Sequence, residues 1–164
     1  MQFRTLKANE LSVRIGTVSA KGVCLLLYKD ARADMTILDE TVGAENWQRE
    51  HYEVKGNMFC RVGIKTGNEW VWKSDCGTES NAEAEKGESS DSFKRACVNW
   101  GIGRELYTSP LIFIPCPTEA DGKRYKCDQR MFYGMRVDKI TYTANRGIEH
   151  LRIVDRKGIV MYEC

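Results

Sequence analysis

The segment "KGESSDSFKRACVNWGIGRELY", residues 86–107, constrains the fold more than any other part of the chain. Its apolar side chains recur with the spacing i, i+3, i+4 and i+7, which places them on one side of an α-helix. These residues are Phe93, Ala96, Cys97 and Trp100. A helix with one apolar side must cover another apolar surface. The segment therefore predicts a helix that packs on a sheet and ends at Gly101.

The start of this helix has two alternatives. Ser80 and Glu83 fit the S-x-x-E capping box, and several acids follow in the early turns, where the helix dipole favours negative charge. Gly87 costs a helix interior about 1 kcal/mol relative to alanine. A later start near Ser90 is the alternative.

The rest of the chain is mostly strand-like. Two β-like runs flank "SAKG" and predict a hairpin, and Ala31–Val42 has helical spacing that ends at Gly43. The further strand-like segments are "WQREHYEV", "NMFCRVGIK", "EWVWKSDCG", "MRVDKITYT", "EHLRIVD" and "GIVMYEC". This order predicts an α+β fold in which a mostly antiparallel sheet packs on the long helix.

The length suits one domain, residues 1–164. We expect a core at about residues 6–110 and a C-terminal strand extension at about residues 118–164. The prolines at 110, 115 and 117 predict a loop between these parts.

The turn "TGN" leaves the register of its two flanking strands open. With a two-residue turn, Trp70 and Trp72 share a sheet face with Lys65 and Arg61. With a three-residue turn, they share a face with Ile64 and Val62. We prefer the three-residue turn because it separates apolar from charged side chains. The dry face would then hold Cys60, Val62, Ile64, Trp70 and Trp72, and the wet face Arg61, Lys65 and Lys73.

Charge and composition exclude several classes of protein. The formal net charge is +2, from 25 Lys and Arg against 23 Asp and Glu, so a nucleic-acid site must be a local cluster of cations. The seven cysteines include no C-x-x-C pair. No H-E-x-x-H, G-x-S-x-G or P-loop pattern occurs. We predict a non-enzymatic cytoplasmic protein with no catalytic residues, metal site or cofactor, and no membrane segment.

Lys94 and Arg95 lie next to each other on the predicted helix, away from its apolar side. The simpler interpretation is a solvated face on which Asp91 pairs with Arg95 at i, i+4, an interaction worth about 0.3–0.5 kcal/mol. The alternative is a pair of cations that contacts phosphates. Helical spacing alone favours the first interpretation.

The motifs around this helix resemble those of phage and prophage single-strand annealing proteins related to the Rad-fifty-two family. In that family a hairpin with a K-x-G turn leads to a helix with a D-x-[FL]-K-R-A core, followed by an aromatic residue and glycine. The matching residues here are Lys65-Thr66-Gly67, Asp91–Ala96 and Trp100-Gly101. The segments "LKANELSVR", "GVCLLLYKDAR" and "DETVGAENW" are similar to the family's N-terminal half. The likeness covers about residues 6–110.

The resemblance implies a ring of protomers with a positively charged groove that holds single-stranded DNA by its backbone. It assigns Lys94 and Arg95 to the inner DNA site and Lys86 to an outer DNA contact. It also implies that an arginine near the end of the early hairpin contributes to the DNA site, and Arg32 is the nearest match. Arg61, Lys65 and Lys73 are further candidates, from the predicted wet face.

The resemblance also implies the function: ATP-independent annealing of complementary DNA strands in phage-type recombination and repair, in the cytoplasm of a bacterial host. A single-strand binding protein or an exonuclease is the expected partner. A passive single-strand binding protein without annealing activity is the alternative.

Overall fold

The computed structural model describes residues 1–77 and 84–164, apart from the side chains of 84–86. The predicted capping box at Ser80 and Glu83 lies outside the described residues. The helices are α1 (Ala31–Val42) and α2 (Ala84–Trp100). The strands are β1 (Leu11–Ser19), β2 (Gly22–Lys29), β3 (Trp47–Val54), β4 (Asn57–Thr66), β5 (Glu69–Cys76), β6 (Ile112–Pro115), β7 (Thr118–Asp121), β8 (Arg124–Cys127), β9 (Arg136–Tyr142), β10 (Ile148–Val154) and β11 (Val160–Glu163).

The chain divides into two compact units. Unit 1 comprises residues 1–4 and 30–104, and unit 2 comprises residues 5–29 and 105–164. In the described part of the chain, neither helix is long and apolar enough to span a lipid bilayer.

The predicted α+β class with antiparallel strands is confirmed, but the expected sheet on a long helix is only part of the structure. The described strands form separate sheets with the orders β1-β2-β6, β3-β4-β5, β11-β10-β9 and β7-β8. Helix α2 packs on β4 and β5, within unit 1. Only the middle strands of the chain therefore contribute to the predicted helix-backed sheet.

The prediction of a loop at the prolines is partly wrong, because residues 112–115 form strand β6. This strand pairs with β2 and lies at the edge of its sheet, with Pro115 opposite Gly22. An edge position tolerates a proline because one side of the strand needs no N–H donor. A side chain at Gly22 would collide with the Ile114 carbonyl, so the close approach of β6 requires glycine there.

Unit 2 is held together around the buried carboxylate of Glu105. This carboxylate accepts a hydrogen bond from the Leu6 backbone N–H at 2.7 Å and pairs with Arg146 at 2.9 Å. The Tyr142 hydroxyl donates to the Leu6 carbonyl at 2.8 Å. Burial, followed by the negative charge of Glu105, raises the pKa of Tyr142. Segments far apart in sequence thus meet at a satisfied polar group.

In unit 1, the apolar sides of α2 and of the sheet form the core. Cys60, Val62 and Ile64 of β4 are fully buried, as are Phe93 and Ala96 of α2. Alternation along a strand places these β4 side chains on one face of the sheet. The predicted apolar side of α2 is therefore confirmed.

The preferred register of the β4–β5 hairpin is wrong. Lys65 lies opposite Trp70 and Thr66 lies opposite Glu69, so the turn contains two residues. Gly67, the first of them, has a φ of 62°, which glycine adopts without steric cost. The two tryptophans therefore lie on the sheet face that points away from α2.

A glycine on β4 explains why this register is favourable. Gly63 lies directly opposite Trp72, and a Cβ atom at Gly63 would be 2.8–2.9 Å from the Trp72 ring. The indole therefore lies flat on the strand where no side chain intervenes. A count of apolar residues on each face cannot detect this packing.

Helix α1 begins at a well-formed N-cap. The Asp30 carboxylate accepts hydrogen bonds from the backbone N–H groups of Arg32, at 2.7 Å, and Ala33, at 3.3 Å. Burial raises the pKa of Asp30, but these two N–H groups and the Arg32 guanidinium together lower it further, so the pKa lies below its usual 3.8.

We expect Asp30→Ala to lower the free energy of unfolding by about 1 kcal/mol, because it leaves helix N–H groups without this acceptor. The contribution should be complete above about pH 4 and should disappear as acid protonates the carboxylate. Urea unfolding at neutral and acidic pH measures both effects. Equal stability of the two proteins at neutral pH would contradict the capping role.

Candidate nucleic-acid interface

Helix α2, which carries Lys94 and Arg95, is attached to the sheet near both ends. The Met58 backbone N–H donates to the Glu88 carboxylate at 2.8 Å, and the Trp100 indole N–H donates to the Val62 carbonyl at 3.0 Å. Two points of attachment fix the rotation of the helix about its axis. The outward positions of α2 are therefore defined by the sheet.

Phe93 anchors the helix immediately before the two cations. Its side chain is fully buried, and its ring stacks on Trp47 with centroids 6.1 Å apart. The Arg49 guanidinium lies 4.7 Å from the centre of the same ring. Sequence patterns did not indicate Arg49, because its contact crosses from β3 to α2.

The two cations differ in their surroundings. Lys94 is half-buried. Arg95 donates from Nε to the Asp75 carboxylate at 3.3 Å and is 43% exposed. Its sequence-predicted partner was Asp91, one helical turn away, whereas Asp75 belongs to strand β5. A half-exposed ion pair is worth about 0.2–1 kcal/mol, so a phosphate can replace Asp75 at little cost.

The three-residue turn preferred from the sequence would place Lys73 on the same face as Arg61 and Lys65. In the structure, Lys73 lies on the other face. Its ammonium group donates to the Asn99 carbonyl at 2.9 Å and lies 4.5 Å from the centre of the Trp100 ring. It therefore belongs to the face that α2 covers. Arg61 and Lys73 therefore lie on opposite faces of the sheet.

Arg104 adds a second cation, next to Lys73, at the C-terminal end of α2. Its guanidinium donates to the Val98 carbonyl at 2.8 Å and to the Asn99 carbonyl at 3.0 Å. Basic residues at a helix C-terminus satisfy carbonyls that have no intrahelical partner and oppose the negative end of the helix dipole. Its place just after the predicted helix end could have indicated this role.

Arg61 and Lys65 lie on the opposite face of the sheet. Arg61 contacts the Glu50 carboxylate at 2.6 Å, and its guanidinium lies 4.5 Å from the centre of the Trp72 ring. Lys65 is exposed and lies opposite Trp70. Lys73, Lys94 and Arg95 therefore lie on the α2 side, whereas Arg61 and Lys65 lie on the uncovered face of the sheet.

The two remaining candidates are Arg32 and Lys86. The Arg32 side chain is 87% exposed in the first turn of α1 and contacts the Asp30 carboxylate at 3.1 Å. The Lys86 side chain lies outside the described residues.

The described residues contain no cluster of three or more His, Cys, Asp or Glu side chains that could hold a metal ion. Burial raises the pKa of the Cys60 thiol to about 11, so this cysteine stays protonated at neutral pH. Cys97 is fully buried on the apolar side of α2. Both cysteines have the properties of core residues.

Comparison with protein families gives a match, over residues 4–113, to the family described as "Rad52/22 family double-strand break repair protein". No curated protein matches the chain significantly. The matched range covers well over half of the chain, includes α1, β3–β5 and α2, and agrees with the motifs identified in the sequence. The chain therefore belongs to the Rad52/22 family of double-strand break repair proteins.

Proposed function

We propose that this protein binds single-stranded DNA and anneals complementary strands without ATP, in phage-type recombination and repair. Membership of a double-strand break repair family supports this proposal. The observation that carries it is the position of Lys94 and Arg95 on a helix fixed by Phe93, with Arg95 paired to Asp75 in a half-exposed ion pair.

In this mechanism the cations of α2 hold the DNA backbone and leave the bases free to pair. Contacts to phosphate position a strand without selecting its sequence. A complementary strand can then test different registers, and the stacking and pairing of the product provide the free energy. No covalent step occurs, so the proposal requires neither nucleotide hydrolysis nor a metal ion.

A ring of protomers would make a weakly charged chain effective. The net charge of +2 per chain is too small to attract DNA by its overall field. A cyclic assembly repeats Lys94 and Arg95 in every subunit and so forms a continuous positive track. In the host cytoplasm, the partners of such a ring would be a single-strand binding protein or an exonuclease.

An annealing assay tests the proposal directly. Two complementary oligonucleotides, one with a fluorophore and one with a quencher, are mixed with the protein in the absence of ATP and divalent metal. We expect pairing to be faster than the spontaneous reaction. Pairing that becomes slower as the protein approaches saturation would instead identify a passive single-strand binding protein. No effect on either pairing or strand mobility would reject both functions.

A further inference from the structure

The sheet face that α2 leaves uncovered has an unusual set of side chains for an exposed surface. Trp70 is 38% exposed and tilted against Trp72, with ring centroids 6.2 Å apart and an angle of 33° between planes. Tyr52 and Phe59 stack on the same face, with centroids 5.6 Å apart. These four rings follow three adjacent strands of the sheet.

We propose that this face, defined by Trp70, Trp72, Arg61 and Lys65, is a second DNA-binding surface that stacks on unpaired bases. It differs from the α2 site in what it recognises, because aromatic rings contact bases whereas Lys94 and Arg95 contact phosphates. The inference rests on the proposed function in one respect: single-stranded DNA is the ligand of both surfaces.

Trp72 and Arg61 make the surface rigid before any ligand binds. Trp72 lies flat on Gly63, and the Arg61 guanidinium is placed between the Trp72 ring and the Glu50 carboxylate. A ring held in this way loses little conformational entropy on binding. Trp72 therefore supports Trp70, which is the more exposed of the two indoles.

The charges on this face favour a nucleic acid over an apolar protein partner. Glu50 is neutralised by its ion pair with Arg61, and Lys65 lies exposed directly across from Trp70. A base that stacks on Trp70 would bring its phosphate within reach of the long lysine side chain. An aromatic ring with an adjacent cation is the combination that binds single strands without selecting their sequence.

The experiment compares two ligands with the same backbone charge: oligothymidylate and an abasic oligomer of equal length. The wild-type protein should bind oligothymidylate more tightly. Trp70→Ala should reduce this preference by about fivefold or more, because stacking on an aromatic side chain contributes about 1–3 kcal/mol per base. Its affinity for the abasic strand should not change.

Val71→Ala is the matched control. Val71 is on the same strand, is 41% exposed and points to the opposite face of the sheet, so its replacement should leave both affinities unchanged. Trp70→Phe keeps an aromatic ring and should retain most of the preference. In addition, oligothymidylate should quench the fluorescence of the wild-type protein more than the abasic strand does, and this difference should fall in Trp70→Phe.

Three results would overturn the inference. An unchanged preference in a folded Trp70→Ala protein would show that the indole does not stack on bases. Equal quenching by the two ligands in the wild-type protein would show the same without relying on the alanine variant. Weaker binding of both ligands together with a smaller oligomer would identify the face as a contact between copies of the chain. In contrast, a wild-type protein that binds neither ligand would contradict the proposed function itself.

Discussion

Replacement of both Lys94 and Arg95 by alanine is expected to weaken binding to single-stranded DNA by about thirtyfold, equally for all sequences. The two lost phosphate contacts are worth about 1 kcal/mol each at an exposed site. Each lost contact should also reduce the slope of log affinity against log salt concentration by about 0.7 for a single strand. Titration of a labelled oligonucleotide at several salt concentrations measures both quantities.

The chain contains a matched control for this double variant. Arg156 and Lys157 are also adjacent cations, are exposed, and lie in a turn of unit 2 outside the range matched to the family. Their replacement by alanine changes the net charge by the same amount. We expect it to have little effect on affinity and slope. If both double variants behaved alike, the overall charge would explain the binding, and α2 would lose its proposed role.

A variant that separates the two cations tests the importance of the Asp75 contact. Arg95→Ala leaves the Asp75 carboxylate close to the position that the phosphate would occupy, and a negative charge there repels DNA. The additional replacement Asp75→Asn removes this charge and should recover part of the affinity. No recovery would indicate that DNA does not approach this side of α2.

The boundaries of most elements of unit 1 could be predicted from the sequence, because they depend on nearby residues. Helix α1 ends at Val42, as the glycine at 43 indicated, and the strand-like segment "WQREHYEV" coincides with strand β3. The apolar spacing of α2 identified the residues that pack on the sheet. These features result from helix and strand periodicity and from turn residues, all of which are local.

The arrangement of the cations could not be predicted in the same way, because it depends on contacts between distant segments. A difference of one residue in the turn at Gly67 exchanges the two faces of β5. It moves Lys73 from the face of Arg61 to the end of α2, where Lys73 contacts the Asn99 carbonyl. Likewise, the Asp75 partner of Arg95 lies on another element. Charge identified the candidate residues, but only the register of β5 divides them between two surfaces.

Phe93→Ala is expected to lower the free energy of unfolding of unit 1 by about 3–5 kcal/mol. The substitution removes a fully buried ring and leaves a cavity between α2 and β3, where Trp47 stacks and Arg49 lies over the ring. All four tryptophans lie within residues 30–104, so intrinsic fluorescence during urea unfolding reports on unit 1. A loss below about 1 kcal/mol would contradict the anchoring role of Phe93.

The same variant tests whether a fixed α2 matters for DNA binding. If Phe93 holds Lys94 and Arg95 in position, Phe93→Ala should weaken DNA binding under conditions in which the protein remains folded, although no charge has been removed. Phe93→Leu keeps most of the buried volume and should retain both stability and affinity to a greater degree. Tyr133→Ala, which truncates a 73% exposed ring of unit 2, should change neither property. Unchanged DNA affinity in a folded but destabilised Phe93→Ala protein would show that the two cations bind DNA without requiring a rigid helix beneath them.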